Sequence, residues 1–177
     1  SSALNRLRVE KGSNRLSPVR IGLIRLCVND ILVHEKKGVP MSSSLDPNDP
    51  NQKHPAFICG RLLAVYDGLQ YQSQGDVGVT VADRFYGLAS TYPLLAFPKL
   101  ETLSKAYLKK LRRDNGGAAY AISKRIDDLT VTLISNGGKY PGQLNLEDQG
   151  RFAIGFHFQK AEDARAREEA QNRKNQP

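Results

Sequence analysis

Tryptophan is absent from this chain, methionine occurs once and cysteine twice, and these scarcities exclude several kinds of protein. Cys27 and Cys59 are too few for a disulfide framework, and with no CxxC pair they offer no thiol metal site. Both lie in apolar helical patterns, where buried, reduced thiols of a cytosolic protein are expected; a disulfide between them is the alternative. The three histidines, His34, His54 and His157, share no ligand spacing with a cysteine or carboxylate. His34-Glu35 lacks the second histidine of a zincin helix, so surface or capping histidines are expected. Long apolar runs are also missing. The longest, residues 19–33, is broken by Arg20, Arg25, Asn29 and Asp30, which excludes a membrane span. No signal peptide is visible, and a soluble, cytoplasmic protein is expected.

What the chain does have is an apolar fraction of 40% over 177 residues, enough for one core with an extended arm. It also has a formal net charge of +8, unevenly spread. Residues 1–40 carry eight basic and three acidic side chains, and residues 99–113 carry six and one. The rest is near neutral. Two cationic segments on a neutral body point to a polyanion surface better than uniform basicity would.

Residues 1–16, with Arg6, Arg8, Lys11 and Arg15, read as a basic arm. Ser17-Pro18 opens a helix that ends near Gly38, its buried stripe formed by Ile21, Ile24, Val28, Ile31 and Leu32. A break rich in Pro, Ser, Asp and Asn covers 39–55 and is the best domain boundary. This divides the chain into an arm and helix (1–40), a linker (41–55), a bundle (56–160) and a charged tail (161–177). Helical periods then predict a helix over 55–74, buried through Ile58, Leu62, Val65, Tyr66 and Leu69. Others follow over 80–91, 98–113 and 118–135, the last two stopped by Asn115-Gly116-Gly117 and Asn136-Gly137-Gly138. A final helix starts at the N-cap Asn145, with Glu147 and Asp148 in its first turn, and frays beyond residue 160. No strand alternation and no repeat is visible. The fold expected is all-α: a bundle of about five helices preceded by one extra helix and the basic N-terminal arm.

That final helix, LEDQGRFAIGFHFQK (146–160), holds Phe152 and Phe156 on one stripe and Ile154 and Phe158 on the next. Gly150 and Gly155 lie inside it, each costing about 1 kcal/mol against Ala. Two such losses suggest close backbone approach, either in tight core packing or in a groove for a partner. The stretch resembles the C-terminal end of the large subunit of type I-C CRISPR surveillance (Cascade) complexes. HPAFICGRLLAVYDGLQYQSQG (54–75) is similar to that family's Gly-Arg-Leu-Leu-Ala helix. VADRFYGLASTYPLLAFPKL (81–100) is similar to its Asp-Arg-Phe-Tyr-Gly-x-Ala-Ser segment. The three segments occur in order across the C-terminal two-thirds. The resemblance implies a fragment of a larger subunit, akin to the small helical-bundle subunits of such complexes, and the start at Ser1-Ser2 fits a truncated or processed chain. It also implies internal translation starts; the sole methionine, Met41, sits where one would release the bundle.

Candidate chemistry is sparse. Asp127-Asp128 reads as a solvent-facing pair and Glu147-Asp148 as helix-start acids, so neither makes a persuasive metal centre. The glycine pairs lack the strand–GxxxxGK[ST]–helix context of a phosphate loop. Ser42–Ser44 and Ser90-Thr91 have no base at a recognisable spacing. No cofactor and no enzymatic activity are expected, and the resemblance implies that DNA cutting falls to a separate nuclease-helicase. The basic helix is the real candidate: Lys105, Lys109, Lys110, Arg112 and Arg113 sit beside the stripe Leu100, Leu103, Tyr107 and Leu111. These cations either meet successive phosphates or form a solvated face, with Glu101–Lys105 and Asp114–Lys110 able to offset repulsion. Arg61 and Arg84, in the family-like segments, and Lys124-Arg125 are further candidates, with Asp67, Asp83 and Asp127 as competing partners. The resemblance implies other Cascade subunits and a guide RNA–DNA heteroduplex or displaced single-stranded DNA as partners, bound by backbone contacts. A scaffold that touches only protein is the rival reading.

Overall fold

The computed structural model describes residues 50–174, so the basic arm, the helix expected over 18–38 and Met41 lie outside the described residues. After a 3-10 turn at Pro50–Lys53 come five α-helices: α1 (Pro55–Gln74), α2 (Val81–Thr91), α3 (Pro93–Asp114), α4 (Gly116–Gly137) and α5 (Leu146–Lys174). No strand occurs among them. The fold is the expected all-α bundle.

Helix α1 is the axis. The expected stripe, Ile58, Leu62, Val65, Tyr66 and Leu69, is buried, but so are Phe57, Cys59, Leu63 and Ala64 on the other sides. A helix apolar all round belongs in an interior, and the four remaining helices each pack on this one. His54 caps its start, its Nδ1 accepting from the Ala56 N–H at 3.2 Å. Asp67 and Gln70 then leave the core to hold the start of α2, accepting from the Ala82 and Val81 N–H groups at 2.9 and 2.6 Å. Thr80 and Asp83 complete that start as a reciprocal capping box.

Two helices run longer than their sequences suggest. A start at Pro98 is expected for α3 because proline disrupts a helix interior. The helix instead begins at Pro93 and passes through Pro98. Pro93 is preorganised for a first turn, and Pro98 lies on the solvent side, where the carbonyl left without a donor reaches water. Helix α5 continues to Lys174 where fraying is expected from residue 160. Ion pairs along its own surface, Glu162–Arg165 and Glu169–Arg173, support it, and Arg167 lies 5.9 Å from the Tyr71 ring.

The two glycines of α5 have different fates. A Cβ on Gly155 would overlap the Phe57 carbonyl oxygen and stand 3.1 Å from its Cα. Reciprocally, a Cβ on Gly60 would overlap the Phe152 carbonyl oxygen and stand 2.8 Å from the Phe156 nitrogen. Helices α1 and α5 therefore touch backbone to backbone, and the glycines serve core packing rather than a partner groove. Gly150 faces open space and makes no such contact. Phe152 and Phe156 are buried there, each edge-on to Tyr86 of α2, while Phe158 lies 5.8 Å from Phe57 and Ile154 is exposed.

Candidate nucleic-acid interface

Three α3 side chains at helical spacing, Leu100, Ser104 and Leu111, are buried, and this fixes which side of the helix meets water. Lys105, Lys109 and Arg112 follow one another at i, i+4, i+7 on the far side, with Lys110 and Arg113 as a flanking line; all five are exposed. Among the described residues none of the five has a carboxylate within ion-pair distance. The offsetting pairs Glu101–Lys105 and Asp114–Lys110 do not form. Glu101 instead accepts the Tyr140 hydroxyl at 2.7 Å, and Tyr140 stacks on Phe97 at 4.6 Å. Burial and that carboxylate push the Tyr140 phenol up, keeping the donated proton in place. Arg112 and Arg113 complement the negative end of the helix dipole, but Lys105 lies too far upstream to do so.

Arg84 joins this surface from α2. Its Nη2 donates to the Tyr107 hydroxyl of α3 at 3.4 Å, and its guanidinium lies 6.0 Å from the Phe85 ring. The competing acid, Asp83, is committed to the capping box. Lys124 is exposed on α4, which runs antiparallel to α3, so it comes level with the basic half of α3. Lys99, exposed one and a half turns before Lys105, extends the surface. Its signal in the sequence is the basic segment 99–113, whose charge it shares.

Arg61 and Arg125 belong elsewhere. Arg61 is half-buried, its Nε donating to Gln159 Oε1 at 2.9 Å and its guanidinium 5.2 Å over the Phe158 ring. Burial lowers its pKa from the ordinary arginine value. Gln159, only 1% exposed, donates to Asp163 at 2.9 Å, and Asp163 pairs with Arg125. The chain Arg61–Gln159–Asp163–Arg125 ties α1, α5 and α4 together. The acids thought to compete for these arginines go elsewhere: Asp67 pairs with Lys160, and Asp127 forms no ion pair among the described residues.

No reactive constellation accompanies this surface among the described residues. Asp127 and Asp128 are exposed, while Glu147 and Asp148 both pair with Arg151. No group of three potential metal ligands occurs among the described residues. The Cys59 thiol is buried, and desolvation pushes its pKa up to about 12, far from a nucleophile's range. A groove of about 220 Å³ between α1, α4 and α5 is lined by alanines, among them Ala118 and Ala166, together with Val65, Ile122 and the charged Arg125 and Asp163. No described helix is long and apolar enough to cross a membrane.

Together these features define a helical module whose outward surface carries a run of cations with no acid facing them among the described residues. Over residues 1–163 the chain matches the family model described as CRISPR-associated protein (Cas_Csd1), and it therefore belongs to that family. No curated protein matches it. The resemblance drawn from the three sequence segments and this family match agree.

Proposed function

We propose that this chain is a non-catalytic module of the large subunit of a type I-C RNA-guided surveillance complex. It acts in the cytoplasm, in antiviral defence, and needs no cofactor. Its α3 ridge holds DNA, either the guide-paired target or the displaced strand, by the phosphates. The observation that carries this reading is the absence of ion-pair partners for Lys105, Lys109, Lys110, Arg112 and Arg113 among the described residues. Arg125, Arg151, Lys160 and Arg173, by contrast, each face a carboxylate, while Arg84, Lys99 and Lys124 beside the ridge share its lack of one among the described residues. Five like charges within about two turns repel one another, and a polyanion relieves that repulsion. Backbone contact of this kind positions a strand without reading its bases.

Replacing the five by Ala tests the proposal. DNA affinity should fall about equally for all sequences, and the slope of log K against log salt should flatten by roughly 0.7–0.9 for each phosphate no longer engaged. Unchanged affinity and slope, with folding intact, would sink it. The absence of catalysis has its own test: Mg²⁺- or Mn²⁺-dependent nicking that disappears on replacing Asp127 and Asp128 by Ala would make the module an enzyme.

A protein-docking role is favoured by a separate observation. Tyr92, Leu94, Leu95 and Leu146 are exposed near the α2–α3 corner, where the Leu94 N–H donates to the Pro141 carbonyl at 3.0 Å and the Leu144 N–H to the Thr91 carbonyl at 2.9 Å. Exposed Val131 and Ile134 lie toward the same end of α4. Apolar residues grouped at the end away from the cations suit contact with neighbouring subunits. Loss of assembly on replacing Leu94 and Leu95 by Ser, with DNA binding retained, is the expected result.

A further inference from the structure

Arg84 and Tyr107 are the one pair on the basic surface, among the described residues, that joins two helices by a side-chain hydrogen bond. Arg84 is exposed near the start of α2, and Tyr107 lies half-buried on the α2-facing flank of α3. The antiparallel course of α2 and α3 brings them level with the middle of the ridge, one turn of α3 from both Lys110 and Leu103. Arg84 has no carboxylate partner among the described residues. Its contacts are the Tyr107 oxygen at 3.4 Å and the Phe85 ring at 6.0 Å. One guanidinium N–H is therefore occupied and the remaining donors face water. An arginine held in this way loses less side-chain freedom when an anion arrives than a free lysine does. The tyrosine hydroxyl accepts from Arg84 and so fixes the direction in which the guanidinium points.

We propose that Tyr107 is a positioning residue that sets the Arg84 guanidinium for a phosphate group. The interface then crosses from α3 onto α2 instead of following one helix. This rests on the reading that the α3 ridge binds phosphates. It differs from that reading in predicting a contact on a second helix, and in predicting that Arg84 and Tyr107 act as a unit. A strand lying across both helices meets Arg84 on one side and Lys110 and Arg113 on the other.

The test is a double-mutant cycle on the full chain, with single-stranded DNA of mixed sequence as the probe. Tyr107→Phe keeps the ring that packs on the core and deletes only the oxygen. Arg84→Ala is expected to weaken binding by about tenfold, close to 1.4 kcal/mol, and to flatten the salt slope by roughly 0.7. Tyr107→Phe is expected to weaken binding by about threefold with an unchanged melting temperature, and to have no further effect in the Arg84→Ala background. An equal loss from Tyr107→Phe in both backgrounds would assign the tyrosine a role independent of Arg84 and overturn the proposal. Loss of binding on replacing the α3 cations, with none on Arg84→Ala, would confine the interface to α3 and also overturn it. No loss from the α3 replacement would instead remove the phosphate reading itself.

Discussion

The α1–α5 contact and the basic half of α3 treat charge in opposite ways. Where α1 and α5 meet, the charged groups are bonded: Asp67 pairs with Lys160, Arg61 donates to the Gln159 amide, and Asp163 at the same seam pairs with Arg125 of α4. On α3, five cations face solvent without an acid among the described residues, and Glu101 on their own helix is turned inward to Tyr140. Burial explains the first pattern, because an unpaired charge between two touching helices is strongly destabilising. Nothing in the fold requires the second. Charges that stability does not need are where function should be sought.

Breaking the contact side should have the largest effect. Gly155→Ala or Gly60→Ala puts a methyl into the facing backbone, which cannot yield as a side chain would, and should cost about 3 kcal/mol or more in chemical denaturation. A loss below about 1 kcal/mol would mean the two helices are not in backbone contact. Lys160→Ala comes next. It strips the ionic partner from Asp67, which is 8% exposed and also holds the Ala82 N–H. The cost should be about 1–2 kcal/mol, discounted from a fully buried pair because the lysine is partly exposed. In a double-mutant cycle, Lys160→Ala should add little once Asp67 is replaced by Asn.

Alkaline pH sharpens the same comparison. The pKa of Cys59 is about 12 in the fold and nearer 8.5 in an unfolded chain, so the protonated thiol favours the fold. Its contribution is whole below about pH 8.5 and is lost as pH rises toward 12. Partly buried Tyr86, also pushed up to about 12 by desolvation, adds to the decline above about pH 10. Cys59→Ala should therefore flatten stability measured between about pH 8.5 and 10; an unchanged slope would place the thiol in contact with water. The smallest effect belongs to the ridge. Replacing its five cations by Ala should leave stability within about 0.5 kcal/mol, since the repulsion removed offsets the helix-dipole contacts of Arg112 and Arg113 that are lost with it. A clear loss would show that these charges support the fold.

Local signals were legible and long-range partners were not. Asn145 was readable as a cap, and its Oδ1 does accept from the Asp148 N–H at 2.8 Å. The stop at Asn136-Gly137-Gly138 was equally readable, and Gly138 ends α4 in the left-handed region at φ 73°. Gly150 and Gly155 look alike in sequence, yet only Gly155 meets another backbone, because that depends on a helix far away in the chain. The arginine partners failed for the same reason. Asp67, Asp83 and Asp127 are near in sequence, while the groups that engage Arg61, Arg84 and Arg125 lie on other helices. Helical period exposed the ridge; it could not show that Arg61 packs against Phe158 instead of facing solvent.

Asn115 joins α3 to α4 alone. Its N–H donates to the Leu111 carbonyl at 2.6 Å, closing one helix, and its Oδ1 accepts from the Ala118 N–H at 3.0 Å, opening the next. A one-residue joint with both ends hydrogen-bonded leaves no slack for the backbone beneath Arg112 and Arg113. A strand settling on this surface finds its backbone already ordered and must freeze only side-chain rotamers, at about 0.5–1.5 kcal/mol for each one immobilised. The joint thus acts on the entropy of association: a flexible insertion after Asn115 would leave every cation in place and still weaken the grip.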